Sequence, residues 1–308
     1  MAVYAVTQGS YGLSMKDVFM ALMGKADHTS RVVIIDIRLP RVVSSIICGW
    51  GLSLSGLCIQ SVLKNSLGSP STLGISQGAA FGAALSIVVF GSRVMSVTGF
   101  AFIGALAATL VILVLARLKK LSPEAVILAG VALSSLFASA TILIQYLATE
   151  TELAMVVFWT FGDVARSNWR EIALMAVAVT VCTVYLSAMR WDFNAMASGE
   201  ETARGLGVDV EKLRILGMVS AALVAALATA FHGVIAFIGL IAPHMARRLA
   251  GDDHGLLIPF SAILGALLLL SADTLGRVLI GSGALPVGVI TAFLGAPMFL
   301  YLLIRGHK

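Results

Sequence analysis

Charge is scarce in this chain. Asp, Glu, Lys and Arg make up 12% of its 308 residues, about half the share of a soluble domain. With 59% of residues hydrophobic and a mean hydropathy of +0.98, a core bounded by water could not hide the apolar surface. Lipid must be the main solvent. Cysteine is nearly absent. Cys48, Cys58 and Cys182 all lie in apolar runs, without disulfide, redox or zinc spacing, and read as small buried hydrophobes. The net charge of +5 comes without any basic run interleaved with aromatics, so a nucleic-acid partner is excluded. No phosphate-binding loop, H-E-x-x-H pair or nucleophile elbow occurs. "LSLSG" at 52–56 echoes an ATPase signature but sits inside an apolar run. The chain therefore reads as no enzyme, with no ATPase site of its own, no metal site and no cofactor. The opening "MAVYAVTQGSYGLSMKD" has no basic stretch and too little apolar length for a signal peptide.

What is present is a series of apolar runs near 42–63, 74–92, 95–116, 125–147, 170–189, 213–232, 234–249, 256–280 and 286–304. Each approaches the roughly 20 residues a transmembrane helix needs; 234–249 is short, and 74–92 is rich in Gly and Ala. The connections are brief, so residues 1–308 form a single membrane domain, an all-α polytopic bundle of nine spans in a cell membrane. Gly74, Gly78 and Gly82 share one helix face, as do Gly51 and Ser55, which suits close helix packing in lipid. With the C-terminus inside and the spans alternating, twelve of the 21 basic residues fall inside and nine outside. The clusters "ARLKK" and "MARRL" both fall inside, as the positive-inside tendency requires.

Three places carry candidate chemistry. Arg38 and Arg41, in "RLPR", and Arg277 come out on the external face, against that tendency. Contact with lipid headgroups or with a partner would each account for them. Asp273 is the only acid well inside an apolar run and stands four residues before Arg277, so the two can pair on one helix face. A proton relay at Asp273, as in an ion-coupled secondary transporter, is the alternative. The longest internal loop contains "SGEETARGLGV", residues 198–208. It reads as a short helix capped by Ser198, with Glu200 and Glu201 at its positive end and Gly205 or Gly207 closing it. It is either a displayed docking element or a solvated turn. His232, at the end of an apolar run, is either structural or a contact for haem or metal.

These motifs together resemble the FecCD-type permease subunits of ABC importers for iron–siderophore, haem and cobalamin, of the type II architecture. The matching pieces, in order, are "RLPR" (38–41), "NSLGSPSTLGISQGAAFGAAL" (65–85), "ILAGVAL" (127–133), "FWTFGDV" (158–164) and "SGEETARGLGV" (198–208). They continue with "AFIGLIAPHMARRLAGDDH" (236–254), "LLLLSADTLGRVL" (267–279) and "LPVGVITAFLGAPMFLYLL" (285–303). The resemblance implies a homodimeric permease with two copies of a cytoplasmic ABC ATPase and one extracytoplasmic binding protein. Arg38, Arg41 and Arg277 would dock the binding protein, with Asp273 orienting Arg277. Ser198, Gly199, Glu200, Glu201, Thr202, Ala203, Arg204, Gly205, Leu206, Gly207 and Val208 would form the helix that couples to the ATPase. Asn65, Leu67, Pro123 and Glu124 would form the cytoplasmic gate, although Ser66 stands where the family has proline, and Pro123 and Glu124 stand where small hydroxyl residues are usual. Spans 125–147 and 286–304 would wall the path. The family norm of ten spans implies a further helix before "YGLSMKD", so either the true start lies upstream, the first reading, or that helix is dispensable. The implied cargo is a metal chelate, a ferric siderophore first, with haem, cobalamin or molybdate as relatives' cargoes.

Overall fold

The computed structural model describes residues 1–9, 11–91, 93–118, 122–166, 168–279 and 285–305. Lys119, Lys120 and Lys308, used above for orientation, lie outside the described residues. Fourteen helices and no strand occur among the described residues. Two short helices, α1 (Ala2–Thr7) and α2 (Met15–Leu22), lead into α3 (His28–Leu63). Then come α4 (Ile75–Phe90), α5 (Val94–Arg117), α6 (Pro123–Leu147), α7 (Glu150–Thr160) and α8 (Trp169–Ala188). The remainder are α9 (Arg190–Ala197), α10 (Glu200–Gly205), α11 (Val210–His232), α12 (Ile238–Ala250), α13 (His254–Leu279) and α14 (Val287–Arg305).

Six helices are long and apolar enough to cross a membrane: α3, α5, α6, α8, α11 and α13. The other three expected spans correspond to the shorter helices α4, α12 and α14. At about 1.5 Å per residue, the 13 residues of α12 rise only about two thirds of a bilayer core.

Helix α3 begins well before the sequence suggested. Asp36, Arg38, Pro40 and Arg41 set the start of the apolar run near 42, yet the backbone is helical from His28. The reason is a stretch of π-helical turns over Val32–Arg38, in which the Leu39 N–H donates to the Ile34 carbonyl. That wider spacing accommodates Pro40, which has no N–H to give. The "RLPR" segment therefore lies within a continuous helix, not at its mouth.

The core forms around α3, against which α13, α11, α12 and α8 all pack. Its most apolar window is 78% buried, against 17% for α6; α3 is the axis of the chain and α6 lies at its margin. Glycines allow the closest approaches. A Cβ on Gly49 would meet the Gly265 carbonyl, and one on Gly56 the Gly239 carbonyl, both of them backbone atoms. Gly78 faces Gly104 in the same way, and Gly82 faces the Phe100 carbonyl. Gly78 and Gly82 of the expected face are thus the seat of α5, whereas Gly74 is the left-handed N-cap of α4, at φ +73°, and faces Gly130 and Ser134 of α6.

The contact between Gly56 and Gly239 also fixes a depth. Helix α11 ends at His232, beside Ser44 near the middle of α3 and one turn beyond Arg41. Residues 233–237 then descend without helical structure, and α12 starts at the level of Leu52 and Gly56. This span is therefore half extended chain and half helix. Non-helical backbone at such depth survives only when protein surrounds it or a cavity borders it. Here the Val234 carbonyl lies between Gly162 and Gly288, positions where any Cβ would strike it.

Candidate functional site

Two polar clusters stand apart along α3, one around Arg41 in its interior and one at its C-terminal end. Between Arg41 and Val62 the helix rises about 32 Å at 1.5 Å per residue, close to the thickness of a bilayer core.

At the first end, Asp273 is fully buried and stands between two arginines. Its Oδ1 accepts from Arg41 Nε at 2.8 Å, and its Oδ2 pairs with Arg277 Nε at 3.1 Å. The pairing of Asp273 with Arg277 expected from their spacing is present; Arg41 is an additional partner. Arg41 Nη2 also lies 3.8 Å from Asp163. Arg38 and Arg277 are buried, at 6% and 8% exposure, and their guanidinium groups are occupied by backbone. Arg38 donates to the carbonyls of Val6 and Thr7, both at 3.0 Å, and of Tyr11 at 2.5 Å. Arg277 donates to those of Ala5 at 2.7 Å and Gln8 at 3.1 Å. These carbonyls belong to the C-terminal end of α1 and the segment after it. Such groups have no helical partner and favour cations. Three arginines share two aspartates here, so the cluster holds one surplus positive charge.

His232 lies just below this cluster. Its Nδ1 is 2.9 Å from the Ala228 carbonyl and its Nε2 is 2.6 Å from Ser44 Oγ. Both ring nitrogens are engaged with protein, which makes His232 a structural bridge between α11 and α3 and leaves neither nitrogen for haem or metal. The His232 carbonyl accepts from the Asp163 N–H at 2.7 Å, tying the arginine cluster to the head of the extended segment.

At the other end, residues 198–208 project from the bundle. Ser198 does not cap α10. It closes the preceding helix α9, and Gly199 is the N-cap of α10, with no side-chain cap bond. Its φ of +128° is open to glycine and strained for a side chain, so the local backbone decides the cap. The helix closes at Gly207, as one of the two expected glycines. The Val208 N–H donates to the Ala203 carbonyl and the Gly207 N–H to that of Arg204, the paired bonds of a Schellman end. Ala203 is buried, whereas Glu201, Thr202, Arg204, Gly205, Leu206 and Gly207 are exposed. Glu200 accepts from Arg204 at 2.9 Å and from Arg214 at 3.2 Å. Those two hydrogen bonds, Arg204's the stronger influence, hold its carboxyl below the ordinary range.

Asn65 and Leu67 lie in the turn after α3, where Asn65 Oδ1 accepts the Leu67 N–H at 2.8 Å. Leu67 borders a cavity of about 330 Å³ together with Ser71, Thr72, Phe237 and Phe299. Pro123 and Glu124 open α6, whose N-cap Ser122 accepts from the Ala125 N–H. No hydrogen bond or ion pair joins these two pairs among the described residues.

Two residues escaped the sequence reading. Gln60 donates to the carbonyls of Gly239 and Leu240, at 3.3 and 3.4 Å, and accepts from Arg247 at 2.5 Å. It thereby fixes the start of α12 to α3. Its signal was available, since a lone amide in "GLCIQSVL" is a polar group in lipid and needs partners. Arg214, 2% exposed, gave no such signal, because it sits where α11 meets a charged loop.

Comparisons with known proteins agree with this architecture. The chain is 35% identical to the Fe(3+)-citrate import system permease of Bacillus subtilis, over 98% of this chain and 91% of that protein. It is 34% identical to the molybdate import system permease of Haemophilus influenzae, over 99% and 93%. A solved structure assigned to the metal-chelate type of ABC transporter, in an inward-facing conformation, superposes with a TM-score of 0.86 at 31% identity. That match covers 99% of this chain and 94% of the other. Residues 1–305 match the FecCD transport family. Sequence along the whole length and the superposition of the fold lead to one assignment: the chain is a member of the FecCD transport family, the multi-pass plasma-membrane permeases of ABC importers.

Proposed function

We propose that this permease works as a homodimer, bound on its inner face by two copies of an ABC ATPase and on its outer face by one binding protein. The observation that carries the reading is the separation of the two polar clusters by about 32 Å of α3, between Arg41 and Val62. A surplus of arginine stands at one end, and a displayed helix with an exposed Leu206 at the other. In this reading the arginine end faces outward. Arg38, Arg41 and Arg277, ordered by Asp273, receive acidic groups of the binding protein. Residues Ser198 to Val208 seat in the ATPase, and Asn65, Leu67, Pro123 and Glu124 form the inner gate. The weakly buried α6 and α14 present apolar faces to lipid, to the second copy and to the path. The cargo is a metal chelate, with a ferric siderophore as the leading candidate, given that relatives carry ferric citrate and molybdate.

Vesicles reconstituted with the chain and its ATPase are expected to accumulate ferric chelate only when binding protein and ATP are both supplied. Omitting the ATPase should abolish uptake. Uptake that persists without the ATPase and follows a proton or sodium gradient would instead establish an ion-coupled carrier.

A further inference from the structure

We propose that Arg214 is the positioning residue that passes movement of α10 to the gate turn. This rests on the importer reading above and adds a specific route to it. Arg214 lies in the second turn of α11 and is almost completely buried. One edge of its guanidinium binds the displayed helix, through Nη2 to Glu200 Oε2 at 3.2 Å. Another binds the end of α3, through Nε to the Val62 carbonyl at 3.1 Å. Val62 is the penultimate residue of α3, so its carbonyl belongs to the last turn, where helical partners run out. Two residues later Lys64 turns left-handed, at φ +49°, and the chain enters the turn that carries Asn65 and Leu67. A single planar cation therefore joins the first residue of α10 to the point where α3 becomes the gate turn.

Its surroundings make this link stiff on one side and loose on the other. Below Arg214, α11 is held to α3 by Cys58 Sγ to the Gly217 carbonyl at 3.2 Å and Ser55 Oγ to the Ala221 carbonyl at 2.7 Å. Helices α3 and α11 thus move as a pair. Glu200, by contrast, is 37% exposed and divides its two oxygens between Arg214 and the exposed Arg204. Displacing α10 pulls first on the Glu200 carboxylate and, through it, on Arg214 and Val62. Lysine cannot replace this arrangement, because an ammonium has no fork with which to hold carboxylate and carbonyl from fixed directions.

The test uses the reconstituted permease with its co-purifying ATPase and reads ferric chelate taken up per ATP hydrolysed. Glu200→Gln and Arg214→Lys are each expected to lower that ratio about fivefold or more. ATPase co-purification should stay as in the parent protein for Arg214→Lys, which lies outside the helix that seats in the ATPase. The double variant is expected to be no worse than the more affected single one, since both changes break one link. Glu200→Gln stands at the surface and keeps the measurement informative should Arg214→Lys fold poorly. Unchanged ratios in Glu200→Gln would overturn the proposal. So would losses that multiply in the double variant, or hydrolysis and assembly falling in step with uptake in Arg214→Lys. Failure of the importer reading looks different: the parent protein itself would then take up chelate without the ATPase.

Discussion

Arg38 illustrates how a residue can be found by its sequence and still surprise in its surroundings. An arginine beside a proline at an apolar boundary suggested an exposed cation. In the structure all three of its hydrogen bonds go to backbone carbonyls of residues 6, 7 and 11. Each bond from a charged donor contributes about 1.5–3 kcal/mol, and together they hold down the end of α1. Arg38→Ala would strand three carbonyls and leave a cavity beneath that helix. The expected outcome is local: amide exchange over residues 2–11 accelerates by tenfold or more, about 1.4 kcal/mol of lost protection. Protection within α3 should stay unchanged. Exchange that accelerates equally along α3 would make Arg38 a global keystone instead.

At the scale of elements, α12 is the instructive case, because its shortness is what the glycines serve. Gly56 and Gly239 bring two backbones together at the depth where extended chain gives way to helix, and Gln60 then fixes the register. Gly56→Val puts branched carbon where the Gly239 carbonyl stands. Rigid backbone cannot yield as a side chain would, so the cost should exceed the roughly 1–3 kcal/mol of ordinary overpacking. The thermal transition of the purified permease is expected to fall, with loss of folded yield; an unchanged transition would show that α12 can slide. Much of this level was legible beforehand. Six of the nine expected spans are helices long and apolar enough to cross a membrane, and the spacing of Gly78 and Gly82 pointed to close packing. The π-helical turns before Pro40 were not legible, because hydropathy ends a run at charges whereas the backbone ends it only when its hydrogen bonds fail. Nor was the extended segment 233–237, since an apolar run reads alike whether it is helical or stretched. Ser198 as a cap failed for a related reason: the backbone angle at Gly199, invisible in side-chain pattern, decides where α10 starts.

For the whole molecule the question is how the two ends act together. Helix α3 touches both clusters, through Arg41 in its interior and Val62 in its last turn, and it is the most buried of the long helices. A partner docking at the arginine end would therefore act on the same rigid body that Arg214 holds at the opposite end. The three arginines are not equivalent in that docking. Arg38 and Arg277 are committed to carbonyls, which are neutral and would yield to a carboxylate only after α1 shifts. Arg41 Nη2 is buried, makes no hydrogen bond among the described residues and lies 3.8 Å from Asp163, so a carboxylate that reaches it gains a donor without breaking a hydrogen bond already made. Arg41→Glu is thus expected to weaken association of the binding protein by about 2 kcal/mol or more, and Arg38→Glu to weaken it less. Raising salt from about 0.1 to about 1 M shortens the screening length from about 10 to about 3 Å. Affinity of the parent permease should fall across that range, with a shallower fall in Arg41→Glu. Calorimetry or surface binding with the purified binding protein reads both effects. Equal affinities for the two variants, or an affinity indifferent to salt, would move the docking contact away from Arg41 to another part of the outer face.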